Sequence, residues 1–387
     1  MFFVLVAMNL NKIITSLNIL KDWRLWFLFI VINMSGNLFF TLHLPGNFIL
    51  ISILIYSILY TLLKKIQIYE YIPFILFYTL LLLWQVFYLD MYYSFSSQVH
   101  FLIKIIVGIL TFAICKSNFI KYYTIIIDFF CVTSLCCSFY IFGGGEIPYL
   151  EIESTNIDSG NVLRASSVIY TQLLGDIEWT WLGTRNCGPF WEPGAFQGFI
   201  NLSFFLNTIN STLNKKRLLL YIITLITTFS TGGYIVMLIN LFIYFMNITA
   251  IRVSSKIIIS IILLIVSINL INNLDFLGNK ISSDTGRLGV SFYDLSDGLY
   301  LLFGYGLGEE SIARSQIQSV SSIYNMVKYV GVIGLFMYLF KIINGIKSIN
   351  NYIFLLIITL ILMNEPFISI GPFWWCIPFI PVLFSNE

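Results

Sequence analysis

Long apolar runs separated by short polar breaks set the pattern of this chain. They lie near residues 25–43, 47–63, 72–91, 99–115, 120–142, 190–213, 218–231, 233–248, 257–273, 322–340, 351–364 and 366–385. None shows the period-two alternation of a barrel strand, so each is predicted as a helix. Most approach the roughly 20 residues that cross a bilayer. The expectation is an all-α polytopic membrane protein, with about twelve transmembrane helices. It forms a single transmembrane domain over 1–387. The runs at 218–231 and 233–248 are short and share the turn Ser230-Thr231-Gly232-Gly233. They form either one tight hairpin or a partly re-entrant pair.

Composition agrees with a lipid solvent. The chain is 58% hydrophobic and only 10% charged, whereas soluble domains carry roughly 25% charged residues. Met1–Met8 is apolar, with no positive residue before it and no small-residue cleavage site after it, so a cleavable signal peptide is not expected.

The charges give an independent check. With the N-terminus inside, the loops carrying Lys12, Lys21, Arg24, Lys64, Lys65, Lys116, Lys121, Lys215, Lys216, Arg217, Arg252, Lys256, Lys341 and Lys347 are all cytoplasmic. That is 14 of the 21 basic residues on one side, as the positive-inside rule requires. Both termini are then cytoplasmic. Two large extracytoplasmic loops follow, at about 143–189 and 274–321, and together they hold 12 of the 19 acidic residues. Both loops contain aromatic residues such as Tyr170, Trp179, Trp181, Phe292, Tyr293 and Phe303, which favours order over linker.

The densest chemical signal is Arg185-Asn186-Cys187-Gly188-Pro189-Phe190-Trp191-Glu192-Pro193-Gly194-Ala195-Phe196. Pro193 suits the first turn of a helix, which puts Glu192 at a helix N-terminus where the dipole favours negative charge. Glu192 is a candidate base beside the guanidinium of Arg185. The alternative is an Arg185–Glu192 pair that merely fixes the loop to the helix start. The second loop offers Thr285-Gly286-Arg287 and Gly304-Tyr305-Gly306-Leu307-Gly308. That glycine run does not fit a nucleotide-phosphate fingerprint. Arginine is a permanent, bidentate donor for phosphate, so Arg185 and Arg287 suit a diphosphate at the outer headgroup level, with Arg164 and Arg314 as further candidates.

Ionisable groups inside spans are functional candidates by default. Lys104 and Lys328 lie one to two turns inside the outer ends of their helices, and Asp128 and Glu365 also fall in or beside apolar runs. Asp128 calls for a basic partner from another span that the sequence does not name. His43 and His100 have no Cys, Asp or Glu neighbours at metal-ligand spacing, so no metal site is expected. Five of the six cysteines lie in apolar runs, and Cys187 alone sits in a polar loop, so no disulfide framework is implied. Ser230 has no nucleophile-elbow context, which argues against a serine hydrolase.

Between Arg185 and Leu339 the chain resembles the O-antigen polymerase and ligase superfamily of membrane glycosyltransferases, in its Wzy-type polymerase branch. The resemblance rests on Arg185-x-x-Gly188-Pro189-Phe190-x-Glu192-Pro193-Gly194, Phe229-Ser230-Thr231-Gly232-Gly233, Thr285-Gly286-Arg287 followed by Gly304-x-Gly306, and Tyr324-Asn325 leading to Gly331-x-x-Gly334. It implies an enzyme that moves undecaprenyl-diphosphate-linked glycans onto one another outside the cytoplasmic membrane, without nucleotide sugar, cofactor or metal. Partners would be lipid-linked donor and acceptor, with a chain-length regulator and flippase of the same pathway; no nucleic acid is implied. Ligases of the superfamily often carry a His-Asn pair where this chain reads Ser319-Val320-Ser321-Ser322. The second loop has no histidine, which argues against a typical ligase and leaves Glu192 as the candidate base. The expected chemistry is inverting transfer, with Glu192, Arg185 and Arg287 catalytic. Arg164, Arg314, Lys104, Lys328, Trp179, Trp181, Tyr305, Tyr324 and Asn325 would bind substrate. The rivals are an O-antigen ligase and, in another class, a flippase for lipid-linked oligosaccharides. A flippase would be expected to show two similar halves with broken helices, and no internal repeat is visible.

Overall fold

The computed structural model describes residues 19–37, 39–40, 46–88, 95–153, 162–166, 168–174, 185–247, 298–306, 321–345 and 349–384. The described part is mostly helical with little strand. The expected span at 257–273, and the second long loop apart from 298–306 and Ser321, lie outside the described residues.

The helices are α1 Trp23–Asn33, α2 Gly46–Leu63, α3 Ile72–Tyr88, α4 Phe95–Cys115, α5 Phe119–Phe142, α6 Pro193–Ile209, α7 Lys215–Thr228, α8 Thr231–Asn247, α9 Gly298–Phe303, α10 Ser322–Asn344, α11 Ile349–Asn364 and α12 Phe367–Ile370. A 3₁₀ segment, Pro372–Phe384, ends the described chain. Two stretches, Phe95–Phe142 and Ser322–Asn344, are long and apolar enough to cross a membrane; six shorter apolar helices accompany them.

Three expectations need correction. The chain is not all-α. Residues from the first long loop form an antiparallel sheet of order β1-β2-β3-β4, with β1 Leu150–Glu153, β2 Val162–Ser166, β3 Tyr170–Leu174 and β4 Arg185–Asn186. The run at 25–43 does not stay helical. α1 stops at Asn33, whose amide bonds back to the Phe29 carbonyl, and Asn37 then bonds to the Asn33 side chain and pairs as a β-bridge with Phe190. The final run is α-helical only over Phe367–Ile370 and continues from Pro372 as a 3₁₀ segment. Its Pro378 and Pro381 supply no backbone donors. With three residues per turn, Pro372, Trp375, Pro378 and Pro381 fall on one edge.

Contacts between helix ends sort them into two poles. At one, Arg24 at the start of α1 meets Tyr122 at the start of α5; Lys116 lies 3.7 Å from Glu70, before α3; and Lys341, late in α10, sits over the ring of Phe379. At the other, Gly36 accepts from Trp191, Asn186 bonds Ser134 late in α5, and Ser322 at the start of α10 bonds Glu365 at the end of α11. Successive helices from α1 to α7 therefore alternate in direction. We call these ends the lysine pole and the Glu192 pole.

All 17 residues of α6 are buried. A helix enclosed on every side does not need an apolar face, and α6 carries Gln197, Asn201, Ser203, Asn207 and Thr208. Asn201 accepts from Asn240 of α8 and donates to the Gly233 carbonyl. Asn207 bonds Thr124 and accepts from Arg217 at 3.1 Å. Arg217 is also the partner of Asp128, at 2.9 Å, and Tyr221 donates to the other Asp128 oxygen at 2.6 Å. Asp128→Ala removes the acceptor that Arg217 Nε and the Tyr221 hydroxyl share. A fall in stability of about 2 kcal/mol is expected, read as a lower melting midpoint in detergent; an unchanged midpoint would show that this network does not hold α5 to α7.

The terminal 3₁₀ segment is the second hub. Trp374 and Trp375 are fully buried. Trp375 meets Tyr78, Phe101 and Tyr338 edge-on at 5.1–5.6 Å. Gly108 of α4 lets it in: a Cβ there would collide with the Pro372 carbonyl and stand 2.7 Å from Trp375 Cβ. The periphery is apolar too. Leu62, Leu63, Leu80, Phe87, Tyr140 and Phe336 are each more than half exposed. Water-soluble monomers rarely leave so many large apolar side chains uncovered.

Candidate functional site

The chain from β4 into α6 builds the Glu192 pole. Asn186, buried on β4, donates to Ser134 and Thr227 and accepts from Gly188 N–H. Gly188 has φ +53 and lies against the Phe196 ring, a conformation and a space that a side chain would spoil. Arg185 Nε and Nη2 donate to the carbonyls of Thr228 and Phe229, at 3.3 and 3.0 Å. These are carbonyls at the end of α7, where Phe229 turns left-handed. Arg185 therefore ties the sheet edge to the α7–α8 turn, a structural duty not foreseen beside its expected phosphate role.

Glu192 is the N-cap residue of α6, followed by Pro193 at the first helical position, as the sequence led one to expect. Its carboxylate does not cap the helix. Oε1 instead accepts from Trp191 Nε1 at 2.9 Å, and the side chain is half-buried. The Trp191 ring packs on Gly36, which has φ +140.

A second carboxylate comes from the far end of the chain. Glu365 is fully buried, and its Oε1 lies so close to Gly194 that no Cβ fits there. The backbone carbonyl of Glu365 accepts from both the N–H and the hydroxyl of Ser322. Glycines make the approach possible on three sides: Gly194 faces Glu365, Gly232 faces Asn364, and Gly233 faces Gln197. Two carboxylates from α6 and α11, the Ser230–Gly233 turn and the start of α10 thus share one end of the bundle. The Glu365–Gly194 approach was invisible in sequence, because 171 residues separate the partners; a charge heading an apolar turn was the sole signal.

The start of α10 leads to Lys328. Tyr324 and Asn325 are buried, and Tyr324 packs with Val327 and Tyr305. The Tyr305 ring stacks on Tyr300, 4.6 Å between centroids. Lys328 is 2% exposed, and its ammonium sits 5.7 Å from the Tyr329 ring centre. Among the described residues no carboxylate lies within ion-pair distance of it. A buried ammonium without a counter-charge is costly, and an anionic ligand would supply one. Three residues on, Gly331 breaks α10 with φ 70 and ψ 177. The break frees the carbonyls of Lys328 and Tyr329. Tyr305 N–H and Gly306 N–H take them at 2.6 and 3.1 Å, and Gln85 Nε2 bonds Tyr329 and Phe303 carbonyls.

Lys104 also lies at this pole. Its Nζ donates to the Ser369 carbonyl at 2.8 Å, beside a cavity of about 150 Å³ shared with His100. Of the remaining expected residues, Arg164 is placed only as a strand position, opposite Glu151 and Gln172 in register. Arg287, Arg314, Trp179 and Trp181 lie outside the described residues. No group of three or more His, Cys, Asp or Glu with metal-binding geometry occurs among the described residues.

No protein-family model, no curated protein and no solved structure matches this chain.

Proposed function

We propose that this chain is a polytopic membrane glycosyltransferase that extends a polysaccharide by joining undecaprenyl-diphosphate-linked repeat units, in the manner of an O-antigen polymerase. One observation carries the reading: Glu192, Glu365, Lys328, Tyr305 and Lys104 gather at the pole opposite the lysine clusters. In a membrane, the positive-inside rule puts the lysine pole in the cytoplasm and the Glu192 pole outside, on the periplasmic face of the inner membrane. Lipid-linked repeat units are met on that side. The exposed apolar periphery supports insertion in a bilayer.

In this reading the growing chain is the donor, and its lipid diphosphate is the leaving group. Lys328 and Arg287 hold the diphosphate and stabilise the charge that develops as the glycosidic carbon is released. Glu192 takes the proton of the acceptor hydroxyl while that oxygen attacks from the opposite face, which inverts the anomeric centre. Tyr300 and Tyr305 offer a flat aromatic surface for a sugar ring.

The test is reconstitution. Purified protein in liposomes, given lipid-linked repeat units alone, is expected to produce a ladder of longer lipid-linked glycans. Arg287→Ala should abolish the ladder at unchanged protein level. Absence of any ladder with the wild-type protein, in the presence of intact substrate, overturns the polymerase reading; movement of substrate across the bilayer without extension would identify a flippase.

A further inference from the structure

One sizeable cavity lies away from the Glu192 pole. It opens at the lysine pole, has a volume of about 1010 Å³, and takes its walls from α1, α2, α4, α5, α6, α7 and the end of the terminal segment. Five cationic side chains line it: Arg24, Lys64, Lys116, Lys121 and Arg217. Three have acidic partners. Arg24 is held by Asp22 at 2.7 Å, Arg217 by Asp128 at 2.9 Å, and Lys116 approaches Glu70 at 3.7 Å. Lys64 and Lys121 have no carboxylate within ion-pair distance among the described residues. Among the described residues the cavity therefore keeps an excess of two positive charges.

The rest of the lining is mixed: apolar side chains such as Ile66, Ile120, Ile125 and Leu383 form one part of the wall, and polar ones such as Asn118, Asn207 and Asn210 another. Beside it, Leu62 and Leu63, the last residues of α2 before Lys64, are 68% and 79% exposed. A free phosphate would occupy a small part of this space and use none of the apolar wall. A phosphodiester carrying acyl chains would use both.

We propose that this cavity binds the headgroup of an anionic phospholipid from the cytoplasmic leaflet, with Lys64 and Lys121 on the phosphate and the acyl chains running along α2. Basic pockets between helices on the cytoplasmic side suit such headgroups. Because the walls come from both early and late elements, the lipid fastens α1 and α2 to α6, α7 and the terminal segment, and binding raises stability by mass action. The proposal requires that the chain lie in a bilayer and does not depend on the glycosyl-transfer chemistry.

The test uses the full chain, purified in a non-ionic detergent and titrated with phosphatidylglycerol, phosphatidylcholine or inorganic phosphate. Binding is read by native mass spectrometry and by thermal unfolding. Saturating phosphatidylglycerol is expected to raise the melting midpoint by about 4 °C, and phosphatidylcholine to leave it unchanged. Lys64→Gln combined with Lys121→Gln should weaken phosphatidylglycerol binding about thirtyfold, from roughly fivefold per lysine. Both lysines are exposed and have no carboxylate partner among the described residues, so the lipid-free midpoint should not move, and Lys64→Arg with Lys121→Arg should restore binding. Equal binding of phosphatidylcholine, or full affinity in the glutamine double variant, overturns the site. An equal midpoint rise with inorganic phosphate alone overturns the lipid as its ligand.

Discussion

Gly331→Ala is expected to lower the stability of the fold by about 4 kcal/mol. Two penalties add. Gly331 adopts φ 70 and ψ 177, a region essentially reserved for glycine. A Cβ there would also run into the Leu302 carbonyl and stand 2.6 Å from Phe303 N. Neither obstacle is a flexible side chain, and both belong to the α9 end that Gln85 and the Lys328 carbonyl hold in place. The measurement is the yield of monodisperse protein and its melting midpoint in detergent. Gly298→Ala is the control: nothing lies within 4 Å of the added Cβ, and its midpoint should match the wild type or exceed it slightly. A Gly331→Ala protein that melts with the wild type would mean that α10 can run straight.

Under the proposed transfer, Glu192→Gln should reduce the rate of chain extension by about 10²–10⁴-fold, the usual contribution of a general base. The substitution keeps the shape of the side chain and an oxygen that accepts from Trp191 Nε1, so the entry to α6 should be preserved. Protein level and melting midpoint are expected to stay near wild type while extension is lost. Glu365→Gln makes an instructive comparison. Glu365 is fully buried against Gly194, with its backbone held by Ser322, so its replacement should disturb the joint between α6, α10 and α11 before any chemistry. If Glu192→Gln retains full extension while Glu365→Gln loses it at normal stability, the base is Glu365.

The helices of 17 to 24 residues were legible because long apolar runs leave few alternatives. Where a run broke early, side chains competed for the backbone. Asn33 and Asn37 end α1 inside an apolar stretch by bonding each other and the Phe29 carbonyl. The sheet was not legible: β4 has only two residues, and its pairing with β3 is a long-range fact. At the site, Pro193 was enough to place Glu192 at the head of a helix. The partner of Asp128 required the structure, because Arg217 lies 89 positions away. Residue type points Arg185 to phosphate, and type does not reveal that the end of α7 offers it two carbonyls.

The enclosure of α6 bears on how the chain is made. In a bilayer, a segment with Gln197, Asn201, Ser203, Asn207 and Thr208 gains little from lipid as it leaves the ribosome. Its amides are matched by Arg217 and Asn240, which are synthesised later. In the proposed membrane setting, such a helix would enter the bilayer with the chain that follows it. Nascent chains cut before Asn240 should therefore hold α6 poorly, leaving it open to translocation or to membrane quality-control proteases.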